Sequence, residues 1–114
     1  MKSSPYYELR CAVSEMFYET LLDEEYTIGQ AASRCLVEFR GEVLGGGQKA
    51  MEVLSVLFSR VARHEPAALA NYIPELRALH ALANKAQCWK QLSSGEHERM
   101  REDVRFVLEK ASDL

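Results

Sequence analysis

Between positions 48 and 64 the chain leaves almost no polar face. Ala50, Met51, Val53, Leu54, Val56, Leu57, Phe58 and Val61 wrap most of a helical circumference, and a narrow polar strip of Gln48, Glu52, Ser55, Ser59 and Arg63 completes it. A helix this apolar has to be enclosed by other elements, because water on several of its sides would cost more than its own hydrogen bonds return. The segment therefore predicts a central helix packed on several sides, with Leu54, Leu57 and Phe58 nearly fully buried.

The flanking sequence supplies the neighbours. Residues 5–22 read as a helix with Ser4 at the N-cap and Pro5 in its first turn. Its inner stripe is Tyr6, Leu9, Val13, Met16, Phe17 and Thr20, spaced i, i+3, i+4, i+7. A second helix is expected over about 28–44, capped by Thr27, with Ile28, Ala32, Cys35, Leu36, Phe39 and Val43 facing inward. Gly45, Gly46 and Gly47 stop it, since glycine tolerates the left-handed backbone that closes a helix. After the central helix, Glu65-Pro66 is a breaker and a short helical turn covers about 66–72. Pro74 opens a longer helix, about 74–92, with Leu76, Leu79, Ala83, Ala86 and Trp89 inward. Ser93 and Glu96 form a capping box for a last helix that runs to about Ala111, with Met100, Val104, Val107, Leu108 and Ala111 as its stripe. Period-2 segments longer than about four residues are absent, as are internal repeats. Short connections make consecutive helices antiparallel neighbours. The reading is an all-α, single-domain up-and-down bundle of five to six helices over residues 1–114.

Composition agrees with this. The 114 residues are one domain's worth, and 47% are hydrophobic with only 6 Gly and 3 Pro. The N-terminal residues lack the apolar region of a signal peptide, and no run reaches the ~18 apolar residues of a membrane span. Cys11, Cys35 and Cys88 are odd in number and far apart, which points to unpaired thiols and a cytoplasmic location. The net charge is −3, whereas non-specific nucleic-acid binding draws on a basic surface.

Chemistry is hard to find in the chain. His64, His80 and His97 form no HxxxH or ExxH pair, so no metal site is expected. The cysteines lie within helices near apolar faces and read as small hydrophobes rather than nucleophiles. Carboxylates on helices are expected to be solvated. The segment Gly45-Gly46-Gly47-Gln48-Lys49 follows a helix and lacks the spacing of a phosphate loop, so it reads as an interhelical turn. No cofactor is expected, and the chain does not read as an enzyme.

One surface feature is sharper. At 100° per residue, Glu8, Glu15, Glu19 and Asp23 fall within about 80° of one another, opposite the inner stripe of the first helix. No Lys or Arg lies among them, and Glu24 and Glu25 follow at once. Like charges four residues apart cost a helix a few tenths of a kcal/mol per pair. Tyr7, Tyr18 and Tyr26 flank the arc, and tyrosine is favoured in protein interfaces. These residues, with Tyr18 as an aromatic anchor, are the expected surface for another protein, such as a basic nuclease or toxin. The function expected is that of a small inhibitor of the immunity or phage-encoded kind, which covers a partner's basic cleft. The alternative is a regulatory module that binds nucleic acid through a local basic patch of Arg60, Arg63, Lys85 and Lys90.

Overall fold

The computed structural model describes residues 4–23 and 25–114. Six α-helices follow in order: α1 Pro5–Leu22, α2 Ile28–Glu38, α3 Arg40–Gly45, α4 Gly47–His64, α5 Ile73–Ala83 and α6 Ser94–Ser112. Two 3-10 helices, Pro66–Tyr72 and Ala86–Cys88, precede and follow α5. No strand forms among the described residues. The fold is the expected all-α bundle, and Cys11, Cys35 and Cys88 are free thiols.

The local signals act as read. The Ser4 hydroxyl accepts from the Tyr7 N–H, and Thr27 and Ser93 each head a capping box, with Gln30 and Glu96 reaching back. Gly46 and Gly47 take φ of 66° and 74°, the left-handed turn between α3 and α4 that a side chain would strain.

α4 is the axis of the molecule. Leu57, Phe58 and Val61 are fully buried and Leu54 is 1% exposed. Side-chain pairings fix the direction of the elements around it. Tyr6 shares a hollow with Gln48 at one end of α4, while Tyr18 meets His64 at the other, so α1 runs parallel to α4. The Ser55 hydroxyl meets the Met100 sulfur and Arg63 covers Phe106, so α6 is parallel to α4 as well. α2 and α3 return antiparallel to α1, with the Cys35 thiol against the Val13 carbonyl and Glu42 beside Glu8. α5 descends beside α6. Consecutive arms alternate, up and down, and three helix N-termini share one end of the bundle.

Three expectations need correction. The helix expected over 28–44 bends at Phe39, whose φ and ψ are −102° and 25°. Val37, Phe39 and Gly41, all weak helix formers, cluster there. The helix expected over 74–92 stops at Ala83. The Asn84 side-chain amide donates to the His80 carbonyl and the Trp89 indole N–H to the Ala83 carbonyl. Carbonyls at the helix end thus find side-chain donors, and Lys85 becomes extended. Glu52, a carboxylate expected to be solvated like the others on helices, is 5% exposed, and Ser55 and Ser59 on the same strip of α4 are buried with it where α6 packs along the helix. Each serine hydroxyl donates to a backbone carbonyl three residues earlier, which lets it be buried.

Candidate functional site

α1 is built with two unlike sides. Val13 and Phe17 are fully buried, while Glu8, Glu15 and Glu19 on the opposite side are exposed. Among the described residues the ion pair formed is Arg10–Asp103, and none of these three carboxylates takes part in it. Glu19 stands in the last turn of α1, which carries no basic residue. A helix C-terminus bears partial negative charge, so this is the end where a carboxylate is least welcome.

Two residues of the expected surface are placed differently from the rest, Asp23 of the arc and the flanking Tyr18. Asp23 is the C-cap of α1, with extended backbone, and its Oδ1 accepts the Glu25 N–H at 3.1 Å. It closes the turn after the helix rather than extending the face. Tyr18 is 39% exposed, and its hydroxyl lies 3.4 Å from His64 Nε2 with the rings edge to face at 5.7 Å. The anchor is thus held by the end of α4. Glu24 lies outside the described residues.

The basic residues of the alternative reading do not form one patch. Arg63 lies over Phe106, with its guanidinium carbon 5.0 Å from the ring centre, and Lys110 is 5.8 Å from the same ring. Lys90 follows Trp89, whose ring packs at a tilt against that of His97, centroids 4.7 Å apart, in the first turn of α6. His97 and Phe106 are nine residues apart on one helix, about 13 Å along its axis. Arg60 and Arg63 sit toward the C-terminal end of α4, and Lys85 and Lys90 toward the other end.

A buried polar layer between α1, α4 and α6 went unread, contrary to the expectation of solvated carboxylates. Arg10 pairs with Asp103, their side chains 12% and 5% exposed, and Arg10 also donates to the Tyr6 hydroxyl at 3.4 Å. Burial pushes the Tyr6 hydroxyl up to about 12, so it stays protonated. A signal existed. Asp103 occupies a stripe position of α6 with Met100, Val104 and Val107, and Arg10 a stripe position of α1 with Tyr6, Val13 and Phe17.

The same layer opens at its end into a hollow of about 470 Å³, lined among others by Ser4, Tyr6, Gln48, Glu52, Gln91 and Glu96. Hydrogen bonds from the Ser4 hydroxyl and the Ser93 N–H hold the Glu96 carboxyl below its ordinary range. Glu52 accepts one hydrogen bond, from the Gln48 amide at 3.2 Å, and burial, with the nearby Glu96 charge, raises its carboxyl above the ordinary range despite that bond and the Lys49 charge. A raised carboxyl binds its proton more tightly folded than unfolded, so its contribution to stability falls as pH rises from the unfolded value through the folded one. Glu52→Gln keeps the shape and removes the charge. It is expected to melt higher than wild type at neutral pH, with the gap closing below about pH 4, where the wild-type carboxyl is mostly protonated both folded and unfolded. Scanning calorimetry at the two pH values checks this.

His64 and His80 are exposed and His97 packs at a tilt against Trp89. Among the described residues no three His, Cys, Asp or Glu side chains come together as a metal site. Burial pushes the Cys35 thiol up to about 12, so no thiolate stands there at neutral pH. No helix among the described residues is long and apolar enough to cross a membrane.

Fold and surface together define an all-α bundle with one acidic helix face and a buried ionic layer. No family model, curated protein or solved structure matches the chain.

Proposed function

We propose that this chain is a small protein-binding inhibitor, of the immunity or phage-encoded kind, that covers a basic surface on its partner with the acidic face of α1. The observation that carries the reading is the exposed carboxylate series Glu8, Glu15 and Glu19, none of them in an ion pair among the described residues, which runs into a last turn of α1 that holds no basic residue. Lys49 of α4 shares a hollow with Glu8 at the start of the helix. Repulsion along the helix and the macrodipole both oppose that series. A partner with a positive cleft, such as a nuclease, relieves both and is steered to the site by the field. Tyr7, Tyr18 and Tyr26, each about 40% exposed, flank it with amphipathic rings suited to an interface. The free thiols suit a reducing cytoplasm.

The test is capture of the partner from the source cell on immobilised wild type and on Glu15→Lys/Glu19→Lys. Both positions are exposed, so the variant is expected to fold normally by circular dichroism. Wild type is expected to retain a basic protein that the variant loses. Equal retention by both removes the acidic face from the interface.

A further inference from the structure

The outer side of the α2–α3 bend differs from the rest of the surface. Leu36, Val37, Val43 and Leu44 line one shallow groove of about 300 Å³, together with Arg40 and Glu75. Val37 and Leu44 are 74% and 72% exposed, so two neighbouring aliphatic side chains stand largely in water. Aliphatic side chains grouped on one patch, with charges at its edge, have the layout of an interface with an apolar centre and a polar rim.

The charges say what fits. Arg40 belongs to α3 and Glu75 to the first turn of α5, and neither takes part in an ion pair among the described residues. One cation and one anion leave the groove neutral, whereas the whole chain carries −3 and the outer side of α1 exposes Glu8, Glu15 and Glu19. Two copies repel one another across α1 but not across this groove. A symmetric interface is self-complementary, since each surface meets itself. With a twofold axis along the groove, Arg40 of one copy faces Glu75 of the other, and the converse pair forms on the far side.

We infer that the groove of Leu36, Val37, Val43 and Leu44 is a self-association surface, on which a second copy of this chain docks about a twofold axis with reciprocal Arg40–Glu75 pairs. The surface shares no residue with the acidic face of α1, so it is independent of the inhibitor reading. The patch is small, so the dimer is weak and concentration-dependent.

Sedimentation velocity on the full chain, from about 1 µM to about 300 µM, tests this. The weight-average mass is expected to climb from 12.9 kDa toward twice that value. Arg40→Glu and Glu75→Arg, each alone, are expected to hold the mass at the monomer value, as is Leu44→Glu. The combined variant Arg40→Glu/Glu75→Arg is expected to restore association. Thermal melts of each variant confirm that the fold is kept. A wild type that stays at 12.9 kDa at every concentration overturns the inference, including the case in which another protein covers the groove. A dimer untouched by the single reversals places the interface elsewhere and overturns it too. Loss in both single variants without recovery in the combined one overturns the reciprocal pairing.

Discussion

Replacing Asp103 by alanine is expected to cost about 3–5 kcal/mol of folding stability, among the largest losses any single substitution can produce here. The reason lies in what is left behind. Arg10 is held between Asp103 and the Tyr6 hydroxyl in a layer closed by α4 and α6, its side chain 12% exposed. Without Asp103 its charge stays in a poorly solvated place with only a neutral partner. Arg10→Ala strands Asp103, 5% exposed at its side chain, and is expected to lose a similar amount. Arg10→Met combined with Asp103→Leu removes both charges and is expected to recover most of the stability, since a buried pair often contributes little net once desolvation is counted. Urea melts of the three variants check the pattern. A loss below about 1 kcal/mol in either single alanine variant would mean that the pair is solvated.

Leu57→Ala should be of the same order. Leu57 is fully buried in the middle of α4, with α1, α5 and α6 packed around that helix. Truncation removes three carbons from a close-packed site that neighbours on several elements cannot fill together, so about 2–5 kcal/mol is expected. For a domain of this size that lowers the melting temperature by roughly 10 °C or more. Denaturant melts measure the loss. A value below about 1 kcal/mol would place Leu57 where the chain can collapse freely around it, which contradicts a central α4.

These two sites differ in how they stand in the sequence. The burial of α4 is written in its own residues, because an all-round apolar helix has one physical solution. Capping boxes at Thr27 and Ser93 are equally local, since donor and acceptor lie three residues apart. Arg10 and Asp103 are 93 positions apart, and a helical wheel places each on an inward stripe without showing that they meet. The polar strip of α4 is legible as a strip, but its periodicity does not show that α6 packs along it and buries Glu52, Ser55 and Ser59. The early end of α5 depends on a side-chain bond from Trp89 to a carbonyl six residues back, which no periodicity records. In the candidate site, exposure of Glu8, Glu15 and Glu19 follows from the period of α1 alone. The turn-closing role of Asp23 does not, because it depends on where the helix stops.

The central claim is that the acidic face of α1 does the binding, and the association rate tests it most directly. With the captured partner immobilised, association and dissociation are measured for wild type and for Glu15→Lys/Glu19→Lys across a range of salt. Steering by the carboxylates predicts that wild-type association slows steeply as salt rises. It also predicts that the variant associates at least about tenfold more slowly at low salt, with a flatter salt dependence and a smaller change in dissociation. Equal association rates for the two proteins at low salt would contradict the account.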